Sequence, residues 1–390
     1  MNVTDQTTQA TTRLRWPASS WHPLFYDLAF VAVVLALSGA LSASPTPDMA
    51  AWLTVTFATL WLLWFLTTLL ESRRPVGGVR VTVVTVQMAL LLVAAVSADD
   101  NLEDNTDLVG RLLGAALVVT LVLMRVGGAW VDARAAAALA VAAALWPLSV
   151  LLWFSWAVLV PWVIALLAMG YAAVRLLRPE LPDLHRMTHR LGELTVIVIG
   201  ESFLKIALVA GDAAVSEFSV LALVVAFAVG TLTWWDYFIG PEPAAGALTQ
   251  GRALAWSAGH LLGHLTLIAL AVGLAKLLVY GGELELALAA GLLVAPLAGF
   301  AAARALIDLA LLDFGARAIG TEGPGARGPG ARRDAALHTG LAVALAMLAL
   351  LVWRAQWPGP IAAALAMTVA LAATVIAVAT RAPASASERG

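Results

Sequence analysis

One apolar segment carries three ionisable side chains at helical spacing. Glu193 and Glu201 are eight residues apart, and Lys205 follows Glu201 by four. At about 100° per residue, the three side chains fall on one helix face about 120° wide. Glu201, with Gly200 and Ser202 beside it, stands about halfway along the segment, far from bulk water. Either Glu201 and Lys205 form a structural ion pair, or they lie in a hydrated pathway that exchanges protons or cations.

A second apolar segment places His260 and His264 four residues apart, on one helix face. Two histidines at this spacing can bind a metal ion, but the His-Glu-x-x-His arrangement is absent and the chain has no cysteine. We therefore expect no metal. The histidines are either hydrogen-bonded between helices or handle protons. Gly259 and Gly263 predict close packing of this helix against a neighbour.

Asp27 follows Phe25 and Tyr26 near the start of the first apolar segment. It is either an interfacial carboxylate held by backbone amides at a helix start, or a buried acid that faces the interior of a helix bundle.

A Trp-Trp-Asp-Tyr-Phe segment ends the eighth apolar run and contains Trp234, Trp235, Asp236 and Tyr237. Such aromatic clusters are typical of membrane–water interfaces, so Asp236 is expected to be interfacial.

The elements that position these residues are membrane-spanning helices. The chain has 390 residues, of which 61% are hydrophobic and only 12% charged, whereas soluble domains contain about 25% charged residues. Apolar runs long enough to cross a bilayer predict an all-α, polytopic helical bundle. The predicted spans are 24–42, 50–70, 79–98, 109–126, 132–151, 154–177, 190–210, 216–238, 253–279, 285–307, 334–353 and 359–380.

Arginines on alternate loops predict the orientation of this bundle. All of them except Arg111 and Arg354 fall on one side, which is the cytoplasmic side by the positive-inside rule. Both termini, 1–20 and 382–390, are therefore expected in the cytoplasm, and the protein in the cell membrane.

Similar features recur in the two halves of the chain at a spacing of about 166 to 173 residues. They predict two parallel six-span repeats, residues 21–180 and 181–381. The Gly/Pro/Arg-rich stretch 308–333 in the second half is expected to be a flexible cytoplasmic loop.

Several classes of protein are disfavoured. The net charge of −2 argues against nucleic acid as a partner, because that binding requires a concentrated basic face. No phosphate-binding glycine loop, nucleophile elbow or cofactor motif is present in the sequence. We expect no cofactor, and an enzyme is the less favoured class.

Four segments, spread over residues 20–275, match a known family in order. The chain resembles the bacterial low temperature requirement A (LtrA) family in the segments HPLFYDLAFVAVVLALSGAL, HRLGELTVIVIGESF, LTWWDYF and WSAGHLLGHLTLIALAVGL. The resemblance implies a membrane protein and assigns weight to Phe25, Asp27, Gly192, Gly200, Glu201, Ser202, Trp234, Trp235, Tyr237, Gly259 and His260.

The chain departs from the family pattern at a few positions. Arg190 and Leu191 stand where the family has Glu and Arg, His22 stands near a usual acidic position, and Leu262 replaces a proline. These departures alter an acid–base pair at the start of the seventh span.

Two functional hypotheses remain. The first is a transporter or channel for a small cation, proton or solute, with Asp27, Glu201, Lys205 and His260 along the path. The second is a membrane protein that does not transport, such as a stress-tolerance factor, a sensor or a lipid-acting enzyme.

Cysteine labelling tests the predicted orientation in this naturally cysteine-free chain. A cysteine at Asp104 or Asp212 should react with a membrane-impermeant maleimide from outside the cell. A cysteine at Arg178 or Thr321 should react only after the membrane is opened. Labelling of the Thr321 position from outside would contradict the predicted span count.

Overall fold

The computed structural model describes residues 21–72, 78–100, 102–126, 132–152, 159–177, 184–212, 217–239, 248–280, 290–311 and 336–347. Within these ranges the chain is helical apart from short connections, and no β-strand occurs. The predicted terminal segments 1–20 and 382–390 lie outside the described residues, as does most of the predicted loop 308–333.

The helices follow one another with short connections. They are α1 Trp21–Ala43, α2 Pro47–Ser72, α3 Gly78–Asp100, α4 Leu102–Val126, α5 Ala133–Leu148, α6 Leu159–Leu176, α7 Leu184–Asp212, α8 Glu217–Ile239, α9 Gln250–Tyr280, α10 Ala295–Leu311 and α11 Ala336–Met347. A 3-10 turn, Ser149–Leu152, follows α5, and a π-helical turn, Ala290–Val294, precedes α10.

Six of the described helices are long and apolar enough to cross a membrane. They contain the spans His22–Ala43, Pro47–Ser72, Leu108–Val126, Arg186–Gly211, Gln250–Val279 and Gly291–Leu311, and five shorter apolar helices accompany them. The predicted class, an all-α multi-pass membrane protein, is confirmed. Twelve spans stay a prediction, since the twelfth, 359–380, lies outside the described residues.

The outer surface of the described bundle is apolar. Large side chains such as Leu167, Val79 and Phe227 are each more than 60% exposed. Such a surface is suited to contact with lipid hydrocarbon rather than with water.

Helices α1 and α7 run parallel and in register through the centre. Asp27 contacts Arg190 and Ser38 contacts Glu201, and both pairs are 163 residues apart in sequence. Eleven residues separate the two contacts on each helix, which is about three turns and about 16 Å of helix axis. The same face of each helix therefore meets the other at two depths.

Aromatic side chains of α1 and α2 pack together in the core of the bundle. The Trp61 and Phe65 rings stack with centroids 5.0 Å apart, and Phe30 lies 6.4 Å from Trp64. All four side chains are buried. Because lipid is as apolar as these side chains, van der Waals packing and hydrogen bonds between helices hold such a core together.

Helices α5 and α6 form a hairpin where the sequence shows one long apolar stretch. The Trp146 and Trp162 rings stack at 5.5 Å, and Trp162 Nε1 donates to Ser149 Oγ at 2.9 Å. Pro147 lies in the last turn of α5, and Gly114 of α4 makes room for its ring, since a Cβ there would come within 2.8 Å of Pro147 Cδ.

Two glycines of α9 make a matched test of helix packing. A Cβ at Gly259 would lie 2.7 Å from Ile307 Cγ1 and 2.9 Å from the Ala303 carbonyl oxygen, whereas one at Gly263 would be 3.6 Å from Ala303 Cβ. We expect Gly259→Ala to lower the free energy of unfolding by about 1–3 kcal/mol through overpacking. Gly263→Ala has the same gain in helix propensity without the clash, so it should not destabilise the protein. Equal unfolding temperatures for the two variants in detergent would contradict this packing.

Candidate functional site

An ion pair between α1 and α7 lies at the centre of the site. Arg190 Nη2 donates to Asp27 Oδ1 at 2.7 Å, and Arg190 Nη1 lies 2.7 Å from Oδ2. Trp64 Nε1 of α2 also donates to Asp27 Oδ1, at 2.7 Å. Asp27 is fully buried. Of its two predicted positions, the structure thus has the acid that faces the interior of the bundle.

Sequence reasoning missed Arg190, which it counted among the cytoplasmic loop charges. The side chain is buried, and its guanidinium also lies over the Trp64 ring at 5.9 Å. Its position in the sequence could have indicated an ion pair, because Arg190 stands at the edge of an apolar run and precedes Glu193 by one helical turn.

Glu193 lies beside this ion pair at the edge of the bundle. Arg190 Nη1 donates to Glu193 Oε2 at 3.3 Å, and His189 Nδ1 lies 3.3 Å from Oε1. The Glu193 side chain is 28% exposed. Two carboxylates, Asp27 and Glu193, thus share one guanidinium.

His264 connects three helices through both ring nitrogens. Trp61 Nε1 donates to Nδ1 at 3.0 Å, and Nε2 lies 2.7 Å from Thr195 Oγ1, whose hydroxyl donates to the Leu191 carbonyl. An indole N–H can only donate, so the proton of the neutral ring is on Nε2. This arrangement matches the first of the two predicted roles, a histidine hydrogen-bonded between helices.

His260 lies one turn before His264 and has a different environment. Its Nδ1 is 2.8 Å from the Trp256 carbonyl oxygen, which can only accept, so Nδ1 carries a proton. The neutral ring therefore keeps its lone pair on Nε2. Among the described residues, no group of three or more His, Asp or Glu is placed to hold a metal ion.

Glu201 and Lys205 meet α1 at Ser38, a residue that sequence reasoning did not select. Ser38 Oγ lies 3.0 Å from Glu201 Oε1, and Lys205 Nζ donates to the same hydroxyl at 2.8 Å. All three side chains are buried. Glu201 Oε2 is also buried and has no hydrogen-bond partner among the described residues. The signal for Ser38 in the sequence was a serine hydroxyl within a long apolar run.

Three other predicted residues of α7 do not join Glu201. The Ser202 hydroxyl donates to the Val198 carbonyl of its own helix at 2.9 Å. Gly200 is exposed, with open space where a Cβ would stand, and a Cβ at Gly192 would make an ordinary contact with Phe238.

The predicted aromatic residues divide between the surface and the interior. Phe25 is 60% exposed, and Trp234 and Trp235 are more than 40% exposed, so they lie on the outer face of the bundle. Tyr26 is fully buried, and its hydroxyl donates to Gln87 Oε1 at 3.0 Å.

Gln87 is a second polar residue that sequence reasoning missed. Its Oε1 also accepts from Thr67, and its Nε2 donates to Thr120 Oγ1 at 2.8 Å. This amide therefore connects α1, α2, α3 and α4 in the interior.

Asp236, which was expected to be interfacial, faces other helices of the bundle. Asp236 is buried, and its Oδ2 lies 3.4 Å from Arg304 Nε. Asp308 Oδ1 lies 3.8 Å from Arg304 Nη2, and His338 Nδ1 of α11 is 3.0 Å from Asp308 Oδ2. Arg304, another arginine that was counted as a loop charge, is buried because two carboxylates compensate it.

A cleft of about 400 Å³ opens beside Glu193 and Arg304, at the ends of α1, α7, α8, α9 and α10. Its lining residues are Leu24, Thr188, His189, Gly192, Glu193, Val196, Ile197, Tyr237, Phe238, Trp256, His260, Arg304 and Ile307. The site thus has two parts, this cleft and the Glu201 group. About three turns of α7 lie between Arg190 and Glu201.

Replacing one partner of the central ion pair tests its contribution to stability. Asp27→Asn removes the closest counter-charge of the buried Arg190, and we expect it to lower the free energy of unfolding by about 3–5 kcal/mol. Adding Arg190→Leu should restore most of this loss, because no buried charge is then stranded. Unfolding in detergent measures both, with Phe25→Leu on the outer face as the control. An unchanged Asp27→Asn protein would contradict the role of the pair.

Comparison with known proteins covers nearly the whole chain. The profile of the family described as Bacterial low temperature requirement A protein (LtrA) matches residues 18–380. No curated protein and no solved structure matches the chain. The match spans all the residues of the site from Asp27 to His338, and the resemblance of the four sequence segments is confirmed. The chain belongs to the LtrA family.

Proposed function

We propose that this protein is a transporter or channel for a small cation, a proton or a small solute, with Glu201 as the group that handles the ion. The observation that carries the proposal is the buried second carboxylate oxygen of Glu201, which has no hydrogen-bond partner among the described residues. An unsatisfied buried polar atom costs about 1–3 kcal/mol, and a proton or a cation bound at this oxygen would offset that cost.

The surroundings of Glu201 support this role. Ser38 accepts a hydrogen bond from Lys205 and lies within hydrogen-bond distance of Glu201, so the three groups form a chain between α1 and α7. The Ser38 hydroxyl is also 2.9 Å from the Leu35 carbonyl oxygen, which gives its proton a second acceptor. A proton or a cation can thus be exchanged at Glu201 while Lys205 remains hydrogen-bonded.

The Asp27–Arg190 pair lies at the depth of the cleft, about three turns from the Glu201 group along α1 and α7. On that face, α1 has Phe30 and Val34 and α7 has Leu194 and Val198, all buried. We propose that this apolar stretch is the closed part of the path. Its opening requires α1 and α7 to separate at the ion pair.

Two six-span halves, 21–180 and 181–381, are part of the proposal. Packing is similar in the two halves, since α1 contacts α3 and α3 contacts α4, while α7 contacts α9 and α9 contacts α10. The parallel direction of α1 and α7 also agrees with five crossings, α2–α6, between them. A location in the cell membrane with both termini in the cytoplasm agrees with the arginine distribution.

The alternative is a membrane protein that does not transport, such as a stress-tolerance factor, a sensor or a lipid-acting enzyme. The hydrogen bonds of His264 and Gln87 favour it, because both side chains are placed as connections between helices.

Replacement of Glu201 decides between these functions. We expect Glu201→Gln to fold with an unfolding temperature near that of the wild type. Its rate of ion flux should be at least tenfold lower than that of the wild type. Flux is measured in proteoliposomes with a pH-sensitive dye under potassium or sodium gradients. Growth at low temperature of a strain that lacks the gene gives a second readout.

Double replacement separates a transport role from a structural one. If Glu201 and Lys205 were only a structural pair, Glu201→Gln with Lys205→Met would recover what either single change loses. We expect the double variant to fold but stay inactive. Ser202→Ala is the control on the same helix and should leave flux unchanged. Full activity of a folded Glu201→Gln protein would contradict the proposal and favour Asp27 and His260 instead.

A further inference from the structure

The cleft at the ends of α7–α10 has the lining of a ligand site in its own right. Its volume of about 400 Å³ is within the range of small-molecule pockets. Aliphatic and aromatic side chains form most of its wall, and a few ionisable groups, Glu193, His260 and Arg304 among them, stand between them. The site is separate from the Glu201 group and does not depend on the proposed transport.

Carboxylates outnumber the two arginines beside the cleft, which favours a cation as the ligand. Asp27 and Glu193 share Arg190, and Asp27 makes the shorter contacts, at 2.7 Å against 3.3 Å for Glu193. Asp236 and Asp308 both lie within 4 Å of the Arg304 guanidinium. Each guanidinium is therefore compensated twice over by carboxylates, and Glu193 is the partly exposed one that lines the cleft.

His260 adds a neutral acceptor to the same cleft. Because Nδ1 donates to the Trp256 carbonyl, the neutral ring has its lone pair on Nε2 for a further hydrogen bond. A ligand that donates hydrogen bonds fits this group better than one that only accepts them.

The apolar part of the cleft wall indicates that the remainder of the ligand is apolar. Trp256 and Phe238 supply aromatic surface, and Val196 and Ile307 supply aliphatic surface. Arg304 already lies over the Tyr237 ring, at 5.6 Å, so that ring is occupied by a cation of the protein itself. Aromatic rings next to a carboxylate are a common environment for bound organic cations.

We propose that this cleft binds a primary ammonium ion with an apolar body. The ammonium group pairs with Glu193 and donates a hydrogen bond to His260 Nε2, and the body contacts Trp256, Phe238 and Val196. The ammonium group thereby gives Glu193 a closer counter-charge than Arg190, whose Nη1 lies 3.3 Å from Oε2.

Calorimetric titration tests the proposal with phenethylamine and the full-length protein in lipid nanodiscs. We expect saturable binding of phenethylamine, weaker binding of the uncharged phenethyl alcohol and of the trimethylated amine, and none of phenylacetate. Glu193→Gln should weaken phenethylamine binding at least tenfold, because it removes the counter-charge. Val196→Trp should abolish binding by filling the cleft.

Two variants outside the cleft are the controls. Asp104→Asn makes the same carboxylate-to-amide change in the first turn of α4, and Val122→Trp places a bulky ring on the exposed face of that helix. Both should bind phenethylamine as the wild type does. Phenylacetate binding as tight as that of the amine, an unchanged affinity in folded Glu193→Gln, or no binding to the wild type would overturn the proposal. Comparison of the ligands on the wild type decides even if a variant fails to fold.

Discussion

The packing of this bundle depends on how one buried arginine is compensated. The Arg190 guanidinium cannot lie in an apolar interior without a counter-charge, and Asp27 of α1 supplies it at 2.7 Å. This contact sets the depth and the rotation of α7 against α1. Three turns further on, the same register brings Ser38 to Glu201. A slip of one residue would rotate each side chain by about 100° and break both contacts.

Other buried polar groups position the surrounding helices in a similar way. Gln87 connects α1 to α4, and His264 connects α2, α7 and α9 through defined donors and acceptors. In a bilayer, where lipid and side chains are equally apolar, such hydrogen bonds distinguish one packing arrangement from another. Glu201 differs from these groups because one of its oxygens has no such partner among the described residues. That oxygen makes Glu201 a candidate for the exchange of a proton or a cation.

Buried ion pairs also position the helix ends that form the cleft. A glycine, Gly259, allows α9 and α10 to approach closely, and Arg304 of α10 is then held between Asp236 and Asp308. Arg304 lines the pocket, and so does Glu193, which pairs with Arg190. The pocket and the Glu201 group therefore depend on one framework, although they differ in the chemistry that they offer.

The sequence by itself determined the class of the protein, its helices and its family. Runs of apolar residues are enough for this, because a chain in lipid must satisfy its backbone within each span. Periodicity also placed Glu201 and Lys205 on one face in the interior.

Only the tertiary structure decided which charged residues are buried. Asp27 and Asp236 face the interior of the bundle, Arg190 and Arg304 are their partners, and Ser38 completes the Glu201 group. A helix such as α1, apolar on all sides, has no periodic pattern that shows which face meets a neighbour. Its rotation and its partner follow from packing, and packing alone brings together residues 163 positions apart.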